Sequence, residues 1–186
     1  MKIRLAAELQ KDSIVDGEGI RAVLWTQGCL HNCVGCHNPL THSFSGGALV
    51  DLDEVYSWID ELEGHDGITL SGGDPMYQPA ACLEVSKYAH KKGLNVWCYT
   101  GFTFEQLIDA SEDDNKLLEF LNNIDVLVDG PFILEQKSLD IKFRGSKNQR
   151  VIDVKKSLSN KKVVILKGYD DEVSFSNPLQ RKYMYI

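Results

Sequence analysis

The chain has 186 residues, 43% of them hydrophobic, and a formal net charge of −7 from 27 acidic and 20 basic side chains. This length suits one domain with one hydrophobic core, so we expect residues 1–186 to form a single domain. The acidic balance argues against nucleic-acid binding. No apolar run approaches the roughly 20 residues of a membrane-spanning helix, and the first residues lack the pattern of a secretion signal, so we expect a cytoplasmic protein without membrane contact.

Short apolar runs alternate with helical patterns along the chain. Runs ended by Gly or Pro indicate buried strands, and apolar residues three and four apart indicate helices. In chain order, the predicted elements are a strand at Ala22–Trp25, a helix from Asp51 or Asp53 to about Leu62, a strand at Gly67–Leu70, a helix from about Pro79 to Lys92, a strand at Leu94–Thr100, a helix from about Thr103 to Leu121, and strands at Ile124–Val128 and Val163–Leu166.

This alternation of strands and helices predicts an α/β fold with a mostly parallel sheet. The chain offers about five to six βα units, whereas a closed eight-unit barrel takes about 250 residues. We therefore predict an incomplete, partial βα barrel, with a doubly wound open sheet as the alternative.

Four unusual sequences follow the carboxyl ends of predicted strands. They are a Gly- and Cys-rich loop over 28–39, Ser-Gly-Gly-Asp-Pro at 71–75, Tyr-Thr-Gly at 99–101 and Asp-Gly-Pro at 129–131. In parallel α/β folds these strand ends meet at one edge, where ligands bind. The four sequences are therefore predicted to form one site.

Three of the five cysteines, Cys29, Cys33 and Cys36, crowd into eight residues of the first loop. They do not mark one face of a helix, because the loop also contains glycines, Asn and Pro that disfavour helix. The other two cysteines, Cys82 and Cys98, lie in a predicted helix and a predicted strand, where a buried thiol packs as a small hydrophobic side chain.

The residues of this loop are compatible with more than one kind of site. Zinc takes four ligands, and one of His31, His37 or His42 could complete a Cys₃His set. A redox Cys-x-x-Cys pair would leave the third cysteine without a role. A [4Fe–4S] cluster is usually bound by four cysteines, so three would leave one iron with an open coordination position.

The order Cys-x₃-Cys-x₂-Cys after a first strand resembles the signature of the radical S-adenosylmethionine superfamily. From about residue 10 to 150, the remaining motifs resemble the family of anaerobic ribonucleoside-triphosphate reductase-activating proteins, which are activases of glycyl radical enzymes. The motifs that carry this resemblance, besides the cysteines, are Val15–Arg21 (VDGEGIR), Ser-Gly-Gly-Asp-Pro, Trp97-x-Tyr-Thr-Gly, Asp129–Phe132 (DGPF) and Arg144-Gly-Ser-x-Asn-Gln.

The resemblance implies a [4Fe–4S] cluster on Cys29, Cys33 and Cys36, with S-adenosylmethionine chelating the open iron. Many superfamily members carry an aromatic residue next to the third cysteine, where this chain has Gly35, so the adenine contact is expected from His37 or Tyr99. The resemblance also implies that Gly72 and Gly73 meet the cofactor, and we expect Asp74 to face its ammonium group. Asp129, at a strand end, is expected to face the cofactor or a bound cation, with a helix cap as the alternative.

In the resembled family an electron from the cluster breaks the bond between the sulfonium and C5′ of the ribose. The resulting 5′-deoxyadenosyl radical takes a hydrogen from a glycine Cα of the partner. That partner would be the glycyl loop in the large subunit of the anaerobic reductase, and the electron donor a protein such as flavodoxin. Alternatives are an activase of pyruvate formate-lyase type, a small-molecule radical enzyme of the 7-carboxy-7-deazaguanine synthase kind, and a zinc scaffold without catalysis.

A basic stretch late in the chain has two readings, a solvated face or a docking surface for an acidic partner. We expect Asn148, Gln149 and the basic residues nearby to form part of a docking surface. The basic residues are Lys142, Arg144, Lys147, Arg150, Lys155 and Lys156.

Overall fold

A computed structural model describes residues 1–170 of the chain, so the end of the predicted domain 1–186 lies outside the described residues. Eight strands form one sheet in these residues, with β2 paired to β3 beside the path β4-β1-β3-β5-β6-β7-β8. The strands are Lys2–Leu5 (β1), Gln10–Ser13 (β2), Arg21–Thr26 (β3), Ala48–Asp51 (β4), Gly67–Gly72 (β5), Asn95–Tyr99 (β6), Val126–Asp129 (β7) and Arg150–Asp153 (β8). The α-helices are Leu52–Asp60 (α1), Pro79–Lys91 (α2), Phe104–Ser111 (α3), Asn115–Leu121 (α4) and Val154–Asn160 (α5).

The centre of the sheet is parallel, as predicted. Strands β3, β5, β6 and β7 run side by side in one direction, with Leu24 opposite Leu70 and Leu70 opposite Cys98. Antiparallel strands flank this centre, with β1 and β2 on β3 and β8 on β7. The fold is therefore mixed α/β around a parallel core.

The predicted number of five to six βα units is wrong for the described residues, which contain four parallel strands. Strand β8 follows β7 through a connection without an α-helix, and a parallel return usually needs such a crossover, so β8 pairs antiparallel. The predicted strand Val163–Leu166 makes only an isolated bridge, from Ile165 to Ile152.

The single helix predicted from Thr103 to Leu121 is two helices. Thr103 begins α3 with a capping box, in which its side chain and that of Gln106 satisfy each other's backbone amides. The helix stops at Ser111, and Asp114 begins α4 by accepting hydrogen bonds from two amides of the next turn. A second cap inside one helical pattern therefore divides it.

The two faces of the sheet have different coverings. Leu24, Leu70 and Leu127 share a core cluster with the buried residues of all five helices. Trp97 and Val128 lie in a second cluster, which is covered by loop residues and Tyr169 instead. Within residues 1–170 the helices thus pack on one face, and none of them is long and apolar enough to cross a membrane.

Candidate active site

One cavity of about 300 Å³ lies at the carboxyl ends of the parallel strands. All four predicted strand-end sequences contribute to its lining, as the parallel arrangement requires. The contributions of the four sequences include Cys29, Cys33 and Cys36 after β3, Gly72 and Gly73 at the end of β5, Tyr99–Gly101 at the end of β6, and Gly130 after β7.

The cysteine loop is anchored at its start by backbone hydrogen bonds. The amides of Gly28 and Cys29 donate to the carbonyls of Thr41 and His42 at 2.8 and 3.0 Å. Further on, the Cys36 amide donates to the Cys33 carbonyl at 3.1 Å and closes a tight turn, in which Gly35 has a φ of +75°. This turn brings the second and third thiols to the same cavity as the first.

The three thiols are free and half-buried. Burial raises the pKa of Cys29 to about 11 and raises the pKa of Cys33 as well, so both are thiols at neutral pH without a metal. The Asn38 amide donates to Cys36 Sγ at 3.4 Å. Iron binding would displace the protons, because a coordinated thiol is a thiolate.

The donor set fits an iron–sulfur cluster. Three free thiols face one cavity, and thiolates are the usual ligands of such clusters. Within residues 1–170, no three His, Cys, Asp or Glu side chains are grouped as one metal ion requires. In a cube each thiolate binds a different iron, so its ligands need not converge on one point.

Gly72 and Gly73 are glycines for a reason that the sequence did not give. We expected them to admit a ligand, but a Cβ on Gly72 would lie 2.6 Å from the Thr26 amide nitrogen, and one on Gly73 would lie 2.9 Å from the Gly28 amide nitrogen. The close neighbour is therefore the end of β3, although both glycines also line the cavity.

Asp74, which we expect to face the ammonium group of the cofactor, is not among the residues that line the cavity. Its side chain is 1% exposed, and Oδ2 accepts hydrogen bonds from Thr100 Oγ1 and the Gly101 amide, both at 2.9 Å. His31 Nε2 lies 2.8 Å from the same oxygen. The Asp74 carboxylate is thus hydrogen-bonded to residues of the strand-end loops.

The two residues expected near adenine both line the cavity. The His37 ring lies 4.9 Å from the Phe132 ring, centroid to centroid. The Tyr99 hydroxyl donates to the Phe143 carbonyl at 2.9 Å, and burial raises the pKa of Tyr99. Gly35 does not line the cavity; a Cβ there would be 3.0 Å from Leu134 Cδ1, so Leu134 occupies that space.

Asp129 is not among the residues that line the cavity, and its contacts are those of a helix cap and an ion pair. The carboxylate is 1% exposed, pairs with the Arg150 guanidinium and accepts the Phe104 amide at 2.7 Å, at the start of α3. Burial raises the pKa of Asp129, and the Arg150 charge opposes that rise. Arg150 also binds Glu105 through two hydrogen bonds and lowers its pKa.

Asn148 and Gln149, which we expect in a docking surface, bond to backbone near the cavity, and Gln149 also lines it. Gln149 Oε1 accepts the Gly145 amide at 2.8 Å, and its Nε2 donates to the Gly130 carbonyl at 3.0 Å. Asn148 Nδ2 donates to the Pro131 carbonyl at 2.8 Å.

The basic stretch does not form one basic face. Arg144 and Arg150 are buried, Lys155 pairs with Asp125 at 2.5 Å, and Lys156 pairs with Asp153 at 2.7 Å.

Sequence reasoning assigned no site role to several residues that the structure brings to the cavity. Asp16, Thr100 and Phe132 lie in the motifs that carry the family resemblance, and that position is the sequence signal that marks them. His31 was considered only as a zinc ligand.

Comparison with known proteins agrees with this geometry. A family model described as a 4Fe–4S single cluster domain matches residues 15–152. The anaerobic ribonucleoside-triphosphate reductase-activating protein of Haemophilus influenzae is 34% identical over 145 residues, which cover 73% of this chain and 89% of that protein. Its counterpart from Enterobacteria phage T4 is 37% identical over 146 residues, covering 74% of this chain and 86% of the phage protein. The chain belongs to the family of anaerobic ribonucleoside-triphosphate reductase-activating proteins.

The segment that the cluster-domain model matches includes all four strand-end sequences, the cysteine loop among them, and it ends within β8. A 4Fe–4S cluster is therefore supported for this segment. Among solved structures, the crystal structure of QueE from Escherichia coli resembles 55% of this chain and 54% of its own, with a TM-score of 0.47 and 15% identity. A likeness of that extent carries no functional argument.

Proposed function

We propose that this protein is a radical S-adenosylmethionine enzyme that generates a glycyl radical on an anaerobic ribonucleoside-triphosphate reductase. The single observation that carries the proposal is the convergence of three free thiols with the Ser-Gly-Gly and Tyr-Thr-Gly sequences on one cavity. Membership of the activating-protein family names the target, because the relatives are activating proteins of that reductase.

In this proposal Cys29, Cys33 and Cys36 would hold three irons of a [4Fe–4S] cluster as thiolates. When bound, the cluster would supply the one-electron chemistry that cleaves S-adenosylmethionine and so allows hydrogen abstraction from a glycine Cα of the partner. The chain's own residues position the reactants and limit the access of water.

We place S-adenosylmethionine against the strand ends that line the same cavity. The backbone of Gly72 and Gly73 forms one part of that wall, and the paired rings of His37 and Phe132 form another. We assign the adenine contact to His37, because the Tyr99 hydroxyl is already bonded to the Phe143 carbonyl. A cavity of about 300 Å³ is at the lower end of the range for small-molecule sites.

The partial βα barrel also belongs to this proposal. The described helices share one core cluster on one face of the sheet, whereas a doubly wound sheet carries helices on both faces. A curved sheet with loops on its inner face would leave the cavity open to a partner's loop. We further propose that the whole chain 1–186 is one domain.

The proposed partners follow from the same chemistry. The glycyl loop of the reductase's large subunit would enter the cavity, and a protein such as flavodoxin would supply the electron. With a net charge of −7, neither nucleic acid nor an anionic membrane surface is proposed as a partner, and we place the protein in the cytoplasm.

Anaerobic reconstitution with iron and sulfide, followed by reduction with S-adenosylmethionine, tests the proposal. We expect 5′-deoxyadenosine by chromatography, and a glycyl radical signal by electron paramagnetic resonance when the reductase is added. Cys29→Ala, Cys33→Ala and Cys36→Ala should each abolish both. Cys82→Ala is the matched control, because Cys82 is buried in α2 away from the cavity.

The other readings give different results in the same experiment. Tight zinc without iron or sulfide would support the scaffold and overturn the proposal. Cleavage of S-adenosylmethionine with a radical on pyruvate formate-lyase, but none on the reductase, would move the protein to the other activase class.

A further inference from the structure

His31 lies between the first two cysteines and is bonded to a residue outside the cysteine loop. Its Nε2 is 2.8 Å from Asp74 Oδ2, and the two side chains are 17% and 1% exposed. Because a carboxylate only accepts hydrogen bonds, His31 donates through Nε2–H. The contact joins the loop after β3 to the loop after β5.

Several hydrogen bonds besides the one from His31 fix the Asp74 side chain. Its Oδ2 also accepts the Thr100 hydroxyl and the Gly101 amide, both at 2.9 Å, and Oδ1 accepts the Met76 amide at 3.0 Å. The Asp74 amide in turn donates to the Gly28 carbonyl at 2.9 Å. A carboxylate fixed by this many donors is a stable attachment point for His31.

The His31 ring occupies a slot that matches its flat shape. A Cβ on Gly101 would lie 2.7 Å from His31 Nε2, so only glycine leaves room beneath the ring. The Phe102 ring meets it edge-on at 4.5 Å, and the Tyr77 ring lies 6.1 Å away. Packing and hydrogen bonding therefore fix the same side chain.

The His31–Asp74 contact lies between two anchored points of the cysteine loop. The Cys29 amide is bonded to His42 outside the turn, whereas the Cys36 amide bonds to Cys33 within the turn itself. Between these points Asn32 has a φ of +47°, which is uncommon for a residue other than glycine. A chain segment in such a conformation needs contacts from the surrounding structure to keep it there.

We propose that His31 is a positioning residue, whose hydrogen bond to Asp74 holds the Cys29–Cys33 span in a cluster-binding conformation before iron and sulfide arrive. The inference rests on the proposed function, since it concerns the same cluster site. Residues that orient metal ligands typically change metal affinity by about 10–100-fold when they are removed.

The test compares three variants of the full chain after anaerobic reconstitution. His31→Leu fills the slot but cannot donate, and His31→Gln keeps an N–H donor. His90→Leu is the matched control, because His90 Nε2 is also 2.8 Å from an aspartate, Asp125 Oδ2, on the helix-covered side of the sheet. The measurements are cluster release to an iron chelator, followed by visible absorbance, and the thermal midpoint of each apoprotein.

We expect His31→Leu to release its cluster about tenfold faster than the wild type. His31→Gln should recover most of this difference, and His90→Leu should release at the wild-type rate even if its thermal midpoint falls. Equal rates of cluster release from His31→Leu and His90→Leu would overturn the positioning role. A His31→Gln variant that releases its cluster as fast as His31→Leu would overturn it too. A wild-type protein that takes up no iron and sulfide would overturn the proposed function as well, so the two failures are distinguishable.

Discussion

At the residue scale, Gly73 lets two strand-end loops approach closely, because it has no side chain between them. The Gly73 amide donates to the Thr26 carbonyl at 2.7 Å, so its Cα lies against the backbone at the end of β3. Backbone atoms cannot move aside as a flexible side chain can. The constraint acts on the protein's own packing before any ligand binds.

We expect Gly73→Ala to lower the free energy of unfolding by about 1–3 kcal/mol, because the new methyl group overlaps the Gly28 backbone. It should also reduce cluster uptake, since Gly28 precedes Cys29. Gly93→Ala is the control: it has a φ of +79° but no atom within 4 Å of the new Cβ, so it should lose stability without losing cluster. Urea unfolding and iron content measure the two effects, and equal iron in both variants would contradict the prediction.

Asp125 gives a prediction of pH dependence. Burial by itself raises the pKa of Asp125, but hydrogen bonds from Lys155 and the Val96 amide outweigh burial and leave the pKa below its ordinary value. A carboxyl with a lowered folded-state pKa stabilises the fold above its unfolded pKa of about 3.9, and this stabilisation is lost as the pH falls through the folded pKa.

Asp125→Asn should therefore lower the free energy of unfolding by on the order of 1 kcal/mol at pH 6, with a difference that shrinks towards pH 3. Urea titrations at several pH values measure this difference. Asp109→Asn, at an exposed position of α3, is the control and should show little difference at either pH. A gap between wild type and Asp125→Asn that stays constant down to pH 3 would refute the assignment.

At the element scale, strand β8 is attached to its neighbours by charge as well as by backbone pairing. Arg150 begins the strand, with its side chain 10% exposed, and pairs with Asp129 on β7 and Glu105 on α3. One guanidinium thus joins three elements beside the cavity wall. This contact adds to the backbone pairing of the antiparallel strand that the sequence did not predict.

Arg150→Met should lower the free energy of unfolding by about 3–5 kcal/mol, because it leaves the buried Asp129 carboxylate without its partner. Lys156→Met breaks the exposed pair with Asp153 and should cost less than about 1 kcal/mol. Denaturant unfolding of both variants measures the contrast. Similar losses in the two variants would show that the Arg150 contact contributes no more than a surface ion pair.

Helix α4 offers a smaller test of the same kind. Asp114 caps the helix by accepting the Lys116 and Leu117 amides at 2.8 and 3.2 Å. Asp114→Ala should cost about 1 kcal/mol of unfolding free energy, which thermal or urea unfolding can detect. The exposed neighbour Asp113→Ala should cost less, and a reversed order would argue against the cap.

At the scale of the whole molecule, cluster binding and folding should be coupled. The three thiols line a cavity that also includes residues at the ends of β5 and β6, so the site is complete only in the folded chain. A ligand that binds the folded chain and not the unfolded one stabilises the folded state. The reconstituted protein should therefore unfold at a higher temperature than the apoprotein.

Anaerobic calorimetry of the two forms measures this shift. Binding at 100 times the dissociation constant corresponds to about 2.7 kcal/mol, which raises the midpoint by several degrees in a domain of this size. Cys33→Ala is the control and should show no shift after the same treatment. A midpoint unchanged by a demonstrably loaded cluster would mean that the cysteine loop is not coupled to the rest of the fold.

Strand β2 shows where sequence patterns stop being informative. Its sequence QKDS lacks an apolar run, and it is a strand because it pairs with β3. A polar edge strand takes its conformation from the neighbouring backbone, so no local signal marks it.

The sequence by itself determined the cysteine cluster, the parallel centre of the sheet and the meeting of the four strand-end sequences, because short spacings and apolar runs are local features. Only the tertiary structure decided the roles of Asp74 and Asp129, whose partners lie 43 and 21 residues away at His31 and Arg150. An aspartate at a strand end is available to a ligand only if no protein donor reaches it first. That competition is settled by packing between distant segments.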